Sequence, residues 1–209
     1  MITVHHLNDS RSDRILWLLE ELGVAYEIKK YERDAMTRYA PAALKAVHPL
    51  GKSPVVTDGD RTIAESGAII DYVIRRYGGG RLQPEPASPL YDQYVHWLHY
   101  AEGSGTAPLL LQMYTMLMGG GAAPPLQKRI DEEIANHLGY LDRTLAGREF
   151  IVGNEFTGAD VQITFVAEMA TLLGQIGPYS NLRSYLTRMH ARPAYRRAIE
   201  RGGPSMMDV

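Results

Sequence analysis

The sequence contains no cysteine. No disulfide can form, and no thiol of the chain itself can serve as a nucleophile or run a dithiol–disulfide cycle. That suits a reducing compartment. An excess of charge of one sign is also missing: 22 Lys and Arg stand against 24 Asp and Glu, for a net charge of -2. Binding to a phosphate backbone needs a concentrated basic surface, so nucleic acid is not expected as the main partner. Long apolar runs are absent too. The longest stretch, from Ala107 to Met118, is interrupted by Pro108 and Gln112 and is too short to span a bilayer. The opening segment from Met1 to Leu7 lacks the basic start, apolar stretch and small-residue cleavage site of a signal peptide. The expected location is therefore the cytoplasm, with no membrane partner. No metal is expected either. His96, His99 and Glu102 recur at helical spacing but do not form a His-Glu-x-x-His arrangement, and packing roles are expected for them.

What is present is enough for a core. The chain has 209 residues, 45% of them hydrophobic, which accommodates two small domains. The first part alternates between strand and helix character. Ile2 to Leu7 predicts a strand, on which His5 and His6 should point to opposite sides, one inward and one outward. Ile15, Leu16, Leu18, Leu19 and Leu22 mark an amphipathic helix closed by Gly23. Ala25 to Tyr31 predicts a second strand, and residues 34–47 a weak helix or irregular stretch. Pro54 to Thr57 and Thr62 to Ala64 predict a hairpin around Asp58-Gly59-Asp60, and Ser66 opens a further helix. Residues 79–88 are rich in Gly, Pro and polar side chains and predict a linker between domains 1–78 and 89–209. Beyond it only helical patterns occur. One helix should run from about Pro89 to Met118, bent near Gly103, Gly105 and Pro108. Others are expected near 126–145, 158–173, 182–189 and 194–200. The expected fold class is a thioredoxin-like α/β domain followed by an all-α domain.

Two dipeptides suggest chemistry. Pro54 at the start of a strand forfeits no ladder hydrogen bond. With a cis Ser53–Pro54 bond, Ser53 would turn its backbone N–H and C=O into a cleft where an extended peptide could pair with them; with a trans bond, Pro54 merely ends a loop. Ser66 suits a helix N-cap, and a helix N-terminus attracts carboxylates, while Glu65 can pair with an ammonium group. Together they could hold a zwitterionic amino-acid head, or they could simply cap a helix.

The combination Gly51-Lys52-Ser53-Pro54-Val55-Val56, a turn, then Ala64-Glu65-Ser66-Gly67-Ala68-Ile69-Ile70-Asp71-Tyr72 resembles the glutathione-site signature of cytosolic glutathione transferases. The likeness extends to the order of elements, the linker and the helical second half. It implies that Ser53 and Pro54 bind the cysteinyl backbone of glutathione, and that Glu65 and Ser66 bind its γ-glutamyl end. It further implies glutathione as co-substrate, a small hydrophobic electrophile as second substrate, and a homodimer. Lys52, inside the motif, is the expected partner of the glycine carboxylate, with Arg33 and Arg38 as alternatives. Met113, Tyr114 and Leu117 are expected either to line the electrophile pocket or to pack in a core or dimer interface.

Conjugation requires a thiolate. A cysteine-type thiol with a pKa of about 8.5 is only about 3% ionised at neutral pH. Lowering it by about 2 units takes about 2.7 kcal/mol, which one hydrogen bond to the anion, worth roughly 1.5–3 kcal/mol, can supply. The loop ahead of Arg14 offers Asn8, Ser10 and Ser12. It holds no tyrosine or cysteine, which the family uses here in some classes. The Ser10-x-x-x-Arg14 spacing is similar to the serine-using classes, so Ser10 is the first candidate donor, Ser12 the second and Asn8 the third. Alternatively Ser10-Arg11-Ser12-Asp13 is only a helix cap with Asp13 at N3. Three activities follow as expectations: transfer of glutathione with peroxidase or disulfide-bond reductase side activity, ligand binding with little turnover, or isomerisation of the maleylacetoacetate type, whose usual loop is absent here.

Thr157-Gly158-Ala159-Asp160 predicts a capping box, flanked by Phe156 and Val161 at the staple positions. It is similar to a folding motif of the family's helical domain and is expected to be structural. Thr157→Ala should lower stability by about 1 kcal/mol or somewhat more, as measured by chemical denaturation.

Overall fold

The computed structural model describes residues 1–119 and 121–203. The chain forms two compact units. The first comprises Met1–Gln83 together with the described residues from His190 to Gly203; the second comprises the described residues of Pro84–Met189.

In the first unit the chain runs β1 (Ile2–Leu7), α1 (Asp13–Leu22), β2 (Tyr26–Tyr31), a 3-10 turn (Ala42–Leu44), β3 (Val55–Asp58), β4 (Arg61–Ala64) and α2 (Ser66–Tyr77). The sheet order is β2-β1-β3-β4. β1 pairs parallel with β2, Ile2 opposite Tyr26, and antiparallel with β3, Ile2 opposite Asp58. A parallel β1–β2 pair requires the crossover that α1 supplies. Gly23 ends α1 in the left-handed conformation at φ 64°. Residues 34–47 are irregular apart from the 3-10 turn, which buries Leu44 against Leu7 and Tyr31.

β1 lies inside the sheet, and this changes the expectation for its histidines. Both are buried, His5 as well as His6, because both faces are covered. His5 Nδ1 lies 2.9 Å from the Tyr31 hydroxyl and its Nε2 lies 3.3 Å from Thr57 Oγ1. His6, on the opposite face, meets the loop before α1.

The second unit contains α3 (Pro89–Tyr100), a π-helical turn (Ala101–Gly105), α4 (Ala107–Leu117), α5 (Pro124–Thr144), α6 (Gly158–Leu172) and the body of α7 (Ser180–His190). The expected bend is the π turn. Its widened ring is closed by Thr106, whose N–H and Oγ1 both donate to the Ala101 carbonyl, at 2.9 and 2.6 Å. Gly105 lets the Tyr100 ring pack closely there, since a Cβ would sit 3.0 Å from Tyr100 Cε1. α6 is buried on every side along Gly158–Ala170, as befits the central helix of its unit. The capping box forms as predicted: Thr157 accepts from Ala159 N at 3.3 Å, and Asp160 accepts from Thr157 N at 2.9 Å. His96 packs in an aromatic group with Trp97, Tyr100 and Tyr140. Among the described residues no cluster of His, Cys, Asp or Glu could hold a metal ion, and no helix is long and apolar enough to cross a membrane.

The last helix, α8 (Pro193–Gly202), belongs to the first unit rather than to an undivided helical domain over 89–209. It buries Ala194, Tyr195 and Ala198, and Tyr195 meets Trp17 of α1 edge-on at 5.2 Å. Glu20 of α1 accepts from Arg197 and Arg201, each at 2.8 Å, and Glu21 accepts from Arg192 at 2.6 and 2.9 Å. These carboxylates are nearly buried, so each needs the partner it has. The sequence predicted a helix near 194–200 but not its partner.

Candidate active site

The loop from Asn8 to Ser12 joins the end of β1 to α1. Ser12, not Ser10, occupies the N-cap, and its carbonyl accepts from Ile15 and Leu16 at 3.0 and 3.2 Å. Asp13 is therefore the first helical residue rather than N3, and the predicted Ser10 cap is not formed. The Ser12 hydroxyl does not cap α1 either. It turns back into the sheet, where it accepts from Leu7 N–H at 3.3 Å and lies 2.9 Å from His6 Nδ1. Ser12 is completely buried.

Ser10 stands one step nearer the surface. Its hydroxyl accepts from Ser12 N–H at 3.2 Å, the local turn that serine favours, and lies 2.7 Å from Ser12 Oγ. It also donates to Ser53 Oγ at 3.4 Å. Residues 43 positions apart in sequence are thus brought together. The Ser53–Pro54 bond is cis. The β1–β3 ladder ends at the pair His5 with Val55, so Ser53 lies beyond it, and its side chain is anchored by donation to the His5 carbonyl at 2.9 Å. The preceding Gly51 is at φ 58°, and a Cβ there would meet Lys45 Cγ at 2.7 Å. Lys52 is exposed.

Helix α2 starts one residue earlier than the expected Ser66 cap implies. Glu65 is the N-cap of α2, without a side-chain capping bond, and Ser66 is the first helical residue and is buried. The first turn of α2 holds no acidic residue, so its N–H groups carry an uncompensated partial positive charge. Glu65 has φ 73° and ψ 123°, a conformation that costs a non-glycine residue about 1–3 kcal/mol. Its side chain is exposed, so burial does not explain the strain. Glu65→Gly should therefore raise the unfolding free energy by about 1 kcal/mol, after allowing for glycine's extra entropy loss. The same variant should weaken glutathione binding at least several-fold, measured by calorimetry beside denaturation. A variant that is both less stable and equally able to bind would contradict this account.

Other candidates are placed elsewhere. The Asn8 side chain accepts from Arg33 N–H at 2.8 Å and donates to Asp9 at 3.2 Å, which commits it to the neighbouring loop. Arg33 donates to the carbonyls of Asn8, Asp9 and Arg38, and Arg38 pairs with Asp9. Both arginines are thereby occupied in holding that loop. Tyr114 and Leu117 are exposed on α4 of the second unit, and Met113 is half-buried there. From the sequence His6 was expected only as one of two alternating strand residues, with no catalytic role. The only signal available was its position six residues before Ser12 on the opposite side of a turn.

Two family models match the chain: the glutathione S-transferase N-terminal domain over residues 1–75 and the glutathione S-transferase C-terminal domain over residues 108–193. Glutathione S-transferase 3 of Schizosaccharomyces pombe is 35% identical, across 96% of this chain and 88% of its own length. Glutathione S-transferase 1 of Saccharomyces cerevisiae is 32% identical, across 81% of each. Among solved structures, a glutathione S-transferase from Actinobacillus pleuropneumoniae superimposes with a TM-score of 0.91 at 35% identity, covering 99% of this chain and 94% of that one. A sphingomonad glutathione S-transferase complexed with glutathione shares the fold, with a TM-score of 0.78 at 23% identity over 97% of this chain and 100% of that one. A cis-proline loop, a strained residue before α2, a serine loop beside them and two matching domain models converge on one assignment: the chain belongs to the glutathione S-transferase family and is a glutathione transferase.

Proposed function

We propose that this glutathione transferase joins the sulfur of glutathione to small hydrophobic electrophiles, with Ser10 as the hydroxyl that stabilises the thiolate. Ser53 and Pro54 would receive the cysteinyl backbone, Glu65 and Ser66 the γ-glutamyl zwitterion, and Lys52 the glycine carboxylate. The observation that carries this reading is the 3.4 Å contact between Ser10 Oγ and Ser53 Oγ. A cysteinyl group paired with Ser53 would present its sulfur next to the Ser10 hydroxyl. Ser12 is too deeply buried to touch a ligand, and Asn8 is engaged with Arg33, which leaves Ser10 as the available donor of the three. Met113, Tyr114 and Leu117 supply apolar, partly flexible surface suited to varied electrophiles. Peroxidase or disulfide-bond reductase activity fits the same site if glutathione supplies both thiols. A homodimer and a cytoplasmic location belong to this reading as well.

Calorimetry with glutathione, paired with a conjugation assay on an activated aryl halide, tests it. Binding with turnover is expected. Binding without turnover would favour a ligand-binding protein, and absence of binding would refute both.

A further inference from the structure

His6 touches no surface available to a ligand, yet it ends a hydrogen-bond chain that begins at Ser10. The links are Ser10 Oγ to Ser12 Oγ at 2.7 Å and Ser12 Oγ to His6 Nδ1 at 2.9 Å. Each hydroxyl has one proton to give. Each also receives a backbone N–H, Ser12 from Leu7 and Ser10 from Ser12. The chain therefore has two self-consistent settings. With a lone pair at Nδ1, Ser12 donates to His6 and Ser10 donates to Ser12, so the Ser10 proton points inward. With a proton at Nδ1, His6 donates to Ser12, Ser12 donates to Ser10, and the Ser10 proton is released outward. Two other acceptors compete only at longer range: Ser53 Oγ lies 3.4 Å from Ser10 Oγ and the Leu7 carbonyl 3.4 Å from Ser12 Oγ, against 2.7 and 2.9 Å for the links of the chain.

The surroundings select the inward setting in the absence of ligand. Burial, with Lys30 of β2, pushes the imidazole down to about 4, so the ring is neutral near pH 7. From α8 the Gly202 backbone hydrogen-bonds the ring, which keeps its single proton on the nitrogen away from Ser12. A Cβ on Gly202 would stand 3.4 Å from His6 Cε1 and 3.1 Å from Leu16 Cδ1, so this turn of α8 packs directly on the ring and its neighbour. On the other side, Asp13 of α1 has Oδ1 at 3.7 Å from Nδ1 and favours a proton there.

We propose that His6 is a positioning residue that sets the direction of the Ser10 hydroxyl, a lone pair at Nδ1 turning it inward and a proton at Nδ1 turning it outward toward a bound thiolate. This rests on the glutathione reading of the site. As a thiol beside Ser10 ionises, its proton passes to Ser10, the Ser10 proton to Ser12 and the Ser12 proton to His6 Nδ1, which leaves the thiolate facing the Ser10 proton and the ring protonated on both nitrogens. By linkage, a proton at Nδ1 and a thiolate at Ser10 favour each other.

Nitrogen-15 NMR of the His6 ring at mildly alkaline pH tests this. Without ligand, Nδ1 should resonate as an unprotonated acceptor. Glutathione should move it toward the protonated range, whereas S-methylglutathione, which has no ionisable sulfur, should not. Ser12→Ala should abolish the glutathione-specific shift, and Ser10→Ala, at a less buried position, should do the same. Equal spectra with the two ligands, or a shift that survives both substitutions, would overturn the proposal while leaving glutathione binding intact. Failure of the unaltered protein to bind glutathione in calorimetry would overturn the glutathione reading and this proposal with it.

Discussion

Asp160→Ala is expected to lower the unfolding free energy by about 3 kcal/mol, the largest loss of stability among the substitutions considered. Asp160 is completely buried at the start of α6. One carboxylate oxygen accepts from Ile151 N–H at 2.9 Å and from the Tyr185 hydroxyl at 3.0 Å. The other accepts from Thr157 N–H at 2.9 Å and Thr157 Oγ1 at 3.2 Å. Removing the carboxylate strands two buried N–H donors, each at a cost of roughly 1–3 kcal/mol. Tyr185 loses less, since it keeps the Asp160 carbonyl at 3.3 Å. The denaturation midpoint reads the effect, and a midpoint equal to that of the unaltered protein would refute it. Asp160→Asn replaces one acceptor by a donor that faces a donor, and should be destabilising too.

This residue also predicts a pH dependence. Burial pushes its carboxyl up to about 6, against hydrogen bonds from Ile151, Thr157 and Tyr185 that favour the charged form. The folded state then holds the proton more tightly than the unfolded chain. The resulting stabilisation is full at low pH and is lost as pH rises from about 4 to about 6. In Asp160→Asn that part of the slope should disappear.

Ser10→Ala is expected to reduce kcat/KM at neutral pH by about 10–100-fold, the loss of one hydrogen bond to an anion. Glutathione affinity should change little, because the groups proposed to hold the tripeptide's backbone and charged ends are other residues. The thiolate absorbance of bound glutathione should titrate roughly one to two units higher than in the unaltered enzyme. An unchanged titration would move the donor role to a backbone N–H or to Asn8. A loss confined to KM would mean that Ser10 serves binding rather than ionisation.

How legible these features were in the sequence depended on how local their causes are. The helix periods, the left-handed Gly23, the hairpin, the capping box at Thr157 and Asp160, and the bend near Gly105 all follow from neighbouring residues, and all formed. The resemblance to the family was legible because the residues that carry it lie in two short runs. The failures share a long-range cause. Ser10 was ranked ahead of Ser12 only by its spacing to Arg14, whereas the physical difference between them lies in bonds to His6 and Ser53. His5 and His6 were assigned one buried and one outward position by strand alternation, but a strand covered on both faces buries both. The docking of α8 on α1 depends on arginines meeting Glu20 and Glu21 across more than half the chain. The strain at Glu65 had no signal at all, since its residue type does not favour positive φ.

The return of α8 to α1 bears on how the protein is made. A ribosome delivers the chain from its N-terminus, and a first domain often folds while the rest is still being synthesised. Here Glu20 and Glu21 leave the exit tunnel long before Arg192, Arg197 and Arg201 exist. The sheet with α1 and α2 must wait, with one side of α1 uncovered, until the whole helical unit has been translated. Contacts spanning this much sequence slow the final closure. The first unit is therefore complete only when α8 has closed over α1.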